Sequence, residues 1–130
     1  MKKIPNINFG IVDVRDVADL HLRAMIVPEA AGERFLAIAG DVMSLQQIAV
    51  LLKDNTGDYG RNISTKKLPS WQVKLAAFFG NAQAKSIIHQ VDKVKNASNA
   101  KAKAVLGWKP RSNEEALIAS ADSMIRFKLI

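Results

Sequence analysis

Apolar positions recur along the chain in two rhythms. Phe9–Val14 is a short β-rich run and reads as a buried strand. Asp13 is placed to cap a helix starting just after it, with Asp16 three residues on near the positive end of the helix dipole. Val14, Val17, Ala18, Leu20, Ala24 and Met25 form the stripe of that helix, which must end before Pro28, because the residue preceding a proline resists the α region. Gly32 turns the chain. Arg34–Ala39 reads as a second strand with Phe35 and Leu36 in the core, and Gly40 ends it. Ser44 with Gln47 makes a capping box, and Leu45, Ile48, Ala49, Leu51 and Leu52 give a helix running to about Asn55, closed by Gly57.

The second half is patterned mainly as helices. Asn62–Leu68 reads as an extended segment, with an edge strand guarded by lysines as one reading. Pro69 or Ser70 opens a helix carrying Trp71, Val73, Leu75, Ala76, Phe78 and Phe79, and Gly80 stops it. Residues 81–97 are polar and weakly patterned, with Ile87, Ile88 and Val91 as a small apolar face. Ser98 caps a short helix, Asn99–Leu106, ended by Gly107. Trp108-Lys109-Pro110 is an extended exit, with Trp108 expected to pack under the last helix. Ser112, with Glu115 as its capping partner, opens that helix, whose face is Leu117, Ile118, Ala121, Met124, Ile125 and Leu129. The order is β-α-β-α-β-α-α-α: a small mixed α/β domain of about five helices and two or three short strands, read as one unit over 1–130.

Composition narrows the classes. A chain of 130 residues suits one ordinary domain, and 48% apolar content argues against wholesale disorder. No cysteine is present, which excludes disulfide scaffolds, thiolate metal sites and cysteine nucleophiles. No apolar run approaches the ~18–20 residues that span a bilayer, and no apolar stretch comes after Lys2 and Lys3, so the chain reads as soluble and cytoplasmic, with no membrane partner. The net charge of +7 is unevenly placed. Residues 61–111 hold eleven basic side chains against one acid, Asp92, whereas the flanking segments are slightly acidic. The preferred reading is a solvated face spread over two helices and a loop. A rim for an anionic substrate or cofactor phosphate is a second reading. Nucleic-acid binding is disfavoured, because the residues are mostly isolated lysines with few aromatics.

Catalytic constellations are not visible. The glycines at 10, 32, 40, 57, 60, 80 and 107 form no phosphate-cradling loop. Ile63 stands four residues after Tyr59, so there is no Tyr-x-x-x-Lys pair. His21 reads as a solvated or rim histidine and His89 as structural or exposed; no His or carboxylate cluster has metal-ligand spacing. Catalytic, cofactor-binding and metal-ligating residues are therefore all expected to be none.

Four passages nevertheless resemble a known family. Phe9–Met25 (FGIVDVRDVADLHLRAM), Gly32–Gly40 (GERFLAIAG), Ser44–Leu52 (SLQQIAVLL) and Ser98–Leu117 (SNAKAKAVLGWKPRSNEEAL) are similar, in this order, to the C-terminal part of the extended short-chain dehydrogenases/reductases, in the NAD-dependent epimerase/dehydratase superfamily. The resemblance implies a substrate lobe of a Rossmann-type reductase. The family's glycine-rich NAD- or NADP-binding half and its catalytic Ser, Tyr and Lys lie upstream of the matched region. No position here receives a catalytic role, and tight cofactor binding by this chain is not expected.

The branch is narrowed by two positions. In the nucleotide-sugar epimerases and dehydratases of that family an arginine four residues before the position of Asp13 grips the substrate diphosphate; here it is Phe9. An aspartate typical of those enzymes is Ser98 here. The sequence is thus more similar to the dihydroflavonol-4-reductase and aldehyde-reductase branch, which implies a small carbonyl substrate. Asn8, Phe9, Gly10, Trp71 and Phe78 are the substrate-adjacent candidates; the competing readings are Phe9 as a core residue, Trp71 and Phe78 as core residues or exposed only because the partner half is missing, and Gly10 as a packing glycine. Two functional classes stay open: the substrate-binding part of an NAD(P)-dependent reductase that is inactive alone, or a non-catalytic interaction module; part of a nucleotide-sugar epimerase is a further alternative. Apolar faces around Ile11, Val12, Phe35, Leu36 and the first helix are expected to be left exposed without the nucleotide-binding half, favouring self-association or a partner chain.

Overall fold

The computed structural model describes residues 3–94 and 96–130. These form two compact units. The first comprises the N-terminal segment through Phe9 and the stretch from Met43 onward to the residues before Asn96; the second comprises Gly10–Val42 and Asn96–Leu129. Together they hold six α-helices, two short 3-10 helices and four two-residue strands, a small mixed α/β fold.

In the first unit, β1 (Ile4–Pro5) pairs in parallel with β4 (Lys67–Leu68), and β2 (Asn8–Phe9) pairs antiparallel with β3 (Met43–Ser44). Helix α2 (Leu45–Asn55) begins in the expected capping box: Ser44 Oγ accepts from the Gln47 N–H while the Gln47 side chain accepts from the Ser44 N–H. A 3-10 helix, Gly57–Asn62, comes next. Helix α3 (Ser70–Phe78) packs against α4 (Ala82–Ile87). The core is Ile7, Val73, Ala77, Ala84 and Val91, with Leu68, Ile87 and Ile88 packed on it.

In the second unit, Asp13 caps α1 (Val14–Ile26), accepting from the Arg15 N–H at 2.8 Å. After the 3-10 turn Pro28–Ala30 come α5 (Ala100–Leu106) and α6 (Asn113–Arg126). Gly107, at φ +60, ends α5 in the left-handed conformation that a side chain disfavours. Ser112 and Glu115 close the predicted capping box of α6. Leu20, Ala30, Ala102, Leu106 and Trp108 form the core, with Val12, Ala24, Val27 and Phe35 packed against it. Each large apolar side chain buried this way contributes about 1.5–3 kcal/mol.

Several expectations are corrected. The strand expected over Phe9–Val14 is confined to Asn8–Phe9. Arg34–Ala39 forms no ladder. One backbone bond, from the Ala39 N–H to the Ile11 carbonyl at 2.7 Å, links it to the chain beside it, while the Asn99 side chain takes the carbonyls of Ile38 and Ala39 at 2.7 and 3.1 Å. A strand needs successive bonds to a neighbour, and a side-chain amide in that place ends the ladder. Phe35 does pack on the core, but Leu36 is exposed. The extended segment over Asn62–Leu68 shortens to Lys67–Leu68 as strand. Helix α4, within the stretch read as weakly patterned, is opened by the Asn81 side chain, which accepts from the Ala84 N–H. Trp108 packs on α1 and α5 residues rather than under the last helix. In α1 the buried positions are Asp16 and Leu20, whereas Val14 and Met25 of the predicted stripe face outward.

Candidate functional site

The N-terminal segment of the first unit is held by a polar node. Asp92 sits at φ +61, a left-handed conformation that Asp tolerates better than most residues. Its carboxylate Oδ1 accepts from the Asn6 side-chain amide and from the Ser70 hydroxyl, each at 2.8 Å. The Asp92 backbone N–H donates to the Asn6 carbonyl at 2.9 Å, and the Asn8 amide donates to the Lys93 carbonyl at 3.0 Å. The two side-chain bonds to Asp92, Asn6 first and Ser70 second, together with the charge of Lys74, hold its carboxyl below its ordinary value. The node joins the strand segment bearing Asn8 and Phe9 to the first residue of α3, immediately before Trp71.

Four of the sequence-predicted residues, Asn8, Phe9, Trp71 and Phe78, fall in the first unit and Gly10 in the second. Asn8 is half-buried, and its amide is engaged with Lys93. Phe9 lies on β2 opposite Met43 and is 41% exposed. Gly10 belongs to the second unit, where a Cβ would approach Ile38 Cγ2 at 3.1 Å. Trp71 and Phe78 are largely exposed, on one face of α3 two turns apart, about 10 Å along the axis. Phe78 meets Phe79 edge to face, with centroids 5.6 Å apart.

A concave site not anticipated from the sequence lies elsewhere in the first unit. A groove of about 500 Å3 is lined by Ile4, Leu45, Ile48, Leu52, Asn62 and Ile63, among others. None of the five candidate residues lines it. The signal for it was the spacing of Leu45, Ile48 and Leu52 on α2, which marks one apolar face but cannot say whether another element covers it. With two polar side chains at its edge, Asn62 and Ser64, the groove suits an apolar ligand better than a charged one.

The second unit shows what the chain can offer a pyrophosphate. Helix N-termini attract anions, yet here the N-termini of α1 and α6 already carry carboxylates. Asp13 and Asp16 stand at the start of α1; Glu114 and Glu115 stand at the start of α6. Arg15 pairs with Asp13 and Arg111 with Asp16, so these cations are engaged. The Arg15 hydrogen bond outweighs burial and holds the Asp13 carboxyl well below the usual carboxylate range. These helix ends do not fit a dinucleotide. His21 and His89 are both exposed, with His21 Nδ1 2.7 Å from the Val17 carbonyl. Among the described residues, no group of three or more His, Cys, Asp or Glu side chains comes together to hold a metal. No helix of the described residues is long and apolar enough to cross a membrane.

No family model matches the chain, and no curated protein does. Solved structures do. The methylglyoxal/isovaleraldehyde reductase Gre2 of yeast, complexed with NADPH, is 25% identical and superposes with a TM-score of 0.70, over 99% of this chain and 36% of that one. Gre2 of Candida albicans in complex with NADPH is 22% identical, with a TM-score of 0.68, over 96% of this chain and 32% of that one. The chain thus spans about a third of the length of the structures it matches, and its fold is that part of a Rossmann-type reductase.

Proposed function

We propose that the chain is the C-terminal, substrate-binding part of an NAD(P)H-dependent carbonyl reductase, and that it works only together with a nucleotide-binding half. The observation that carries this reading is the superposition of nearly the whole chain on one third of reductases solved with NADPH. Within the reductases, we favour the dihydroflavonol-4-reductase and aldehyde-reductase branch. Phe9 stands where the nucleotide-sugar enzymes carry a diphosphate-gripping arginine, and a partly exposed phenylalanine favours a small apolar carbonyl compound over an anion. The reading includes a cytoplasmic location.

The surface for the partner half is the outer face of α1. Val14, Leu22, Met25 and Ile26 are 63–81% exposed there, and Leu36 adds to the apolar surface of the same unit. Of the faces expected to be open, Val12 and Phe35 instead pack on the core. A second reading, a non-catalytic module that self-associates, rests on the same outer face. The deciding experiment mixes the chain with the remaining two thirds of a reductase of this fold and monitors NADPH oxidation with isovaleraldehyde or methylglyoxal. Turnover only in the mixture, lost in Leu22→Glu/Met25→Glu, supports the reductase reading. Submicromolar NADPH binding by the chain alone, or a stable homodimer that excludes the partner half, refutes it.

A further inference from the structure

The strand that carries Phe9 is too short to hold its own place. β2 and its partner β3 share only the pairs Asn8–Ser44 and Phe9–Met43, and an isolated two-stranded pairing is marginal in water. Ile7 anchors the segment in the core, and its carbonyl accepts from the Leu45 N–H at 2.8 Å. On either side of Ile7, Asn6 and Asn8 both reach the turn at Asp92 and Lys93. Asp92 grips Asn6 at two points: its N–H donates to the Asn6 carbonyl, and its Oδ1 accepts from the Asn6 side-chain amide. The same Oδ1 accepts from the hydroxyl of Ser70, the first residue of α3. Asp92 is the one acid among residues 61–111, and its carboxylate oxygen takes two donors at once, which no lysine could do. An apolar anchor at one residue fixes depth, whereas polar bonds on both sides of it fix the register of the segment and hence the place of the Phe9 ring.

From this geometry we propose that Asp92 is a positioning residue for substrate: its carboxylate ties the Phe9 segment to the start of α3 and so sets where the Phe9 ring meets a small apolar carbonyl compound. The proposal rests on the reductase reading and on Phe9 as the side chain that faces the substrate. Asp92 acts through Asn6 and does not itself touch the reacting atoms. It is exposed and lies outside the core of its unit, so loss of its carboxylate loosens the segment locally and leaves the packing of Val73, Ala77 and Ala84 in place.

The test compares the wild-type chain with Asp92→Ala, Asn6→Ala and Asp92→Asn, each mixed with the remaining two thirds of a reductase of this fold, following NADPH oxidation with isovaleraldehyde. Asp92→Ala and Asn6→Ala, which remove the side-chain bond from its two ends, should each raise KM about fivefold or more, with kcat changed by less than about twofold. Asp92→Asn keeps an acceptor oxygen and tolerates the left-handed backbone, so its KM should stay within about twofold of wild type. A merely structural role would reduce the number of folded molecules, lowering the apparent kcat at unchanged KM; that result overturns the proposal, as does Asp92→Asn behaving like Asp92→Ala. Hydrogen exchange on the chain alone reads the clamp without catalysis. The Leu45 amide, bonded to Ile7, should exchange about tenfold faster in Asp92→Ala while the amides of α3 are unchanged; equal exchange at Leu45 also overturns the proposal. An inactive mixture with the wild-type chain refutes the reductase reading and the substrate role of Asp92 with it, whereas an active mixture whose KM ignores Asp92 refutes this proposal alone.

Discussion

The indole N–H of Trp108 donates to the backbone carbonyl of Asp16 at 2.9 Å, across 92 residues of sequence. Trp108 is wholly buried and touches a core drawn from α1 and α5, so one side chain supplies both bulk and a long-range hydrogen bond. Trp108→Phe should cost about 1–2 kcal/mol, from the carbonyl left without its donor and the lost volume. Trp108→Ala should cost about 3–5 kcal/mol. Urea unfolding monitored by circular dichroism checks both; equal losses would mean that the further volume removed in Trp108→Ala, that of the phenyl ring, contributes nothing.

Asp16 does more than cap a dipole. Its carboxylate accepts from the Arg111 N–H at 2.8 Å and from the Arg111 guanidinium, tying the segment before α6 to α1. Asp16 is buried whereas the Arg111 side chain is 40% exposed, so the ion pair itself is partly screened. Asp16→Ala should destabilise by about 1–3 kcal/mol, chiefly through the backbone donor left unmatched. Asp16→Asn, which keeps one acceptor, should lose less. Chemical denaturation ranks the two, and the reverse order would mean that the backbone donor is not the main loss.

Acid should unfold the protein along a predictable limb. Asp13, hydrogen-bonded by Arg15, Glu115, bonded first by the Ser112 backbone N–H, and Glu33, bonded by Lys101, all titrate below their ordinary values. A carboxylate whose folded pKa is depressed contributes stability that is complete above its unfolded pKa, about 4. That contribution is lost as pH falls through the folded value. Stability attributable to these groups should therefore be level between about pH 5.5 and 7 and decline below about pH 4. Asp13→Asn should lower stability at neutral pH and flatten the acid limb. Urea midpoints across this range test it, and an unchanged slope would rule out Asp13 as a contributor.

Gly60 has no room for a side chain. It is buried in the 3-10 helix after α2, and a Cβ would stand 2.4 Å from the Lys53 carbonyl oxygen. Because the obstacle is backbone, relief requires the helix end to move. Gly60→Ala should cost about 1–3 kcal/mol by overpacking, while Gly40→Ala, which meets nothing within 4 Å, should be close to neutral. Thermal melts of the two variants make the comparison, and equal melting temperatures would show that the helix end yields freely.

Local chemistry was legible from the sequence. The Asp13 cap, the Ser44–Gln47 and Ser112–Glu115 capping boxes, the stop before Pro28 and the Gly107 terminus all appear as read, because each is settled by groups within about four residues of one another. The helical faces were legible only in part. A helix such as α3, apolar on two sides, does not announce which side its neighbours cover, and Trp71 and Phe78 fell on the open one.

What tertiary structure alone decided are the pairings between distant residues. Sequence can propose a strand at Arg34–Ala39, but whether its carbonyls meet a ladder or the Asn99 amide depends on where residue 99 is brought by the fold. The partition into two units, the Asn6–Asp92–Ser70 node, the groove beside α2 and the clash awaiting a Cβ at Gly60 are of the same kind. Caps and turns are written in short-range hydrogen bonds and backbone sterics, whereas burial and long-range pairing depend on which surfaces the whole chain brings into contact.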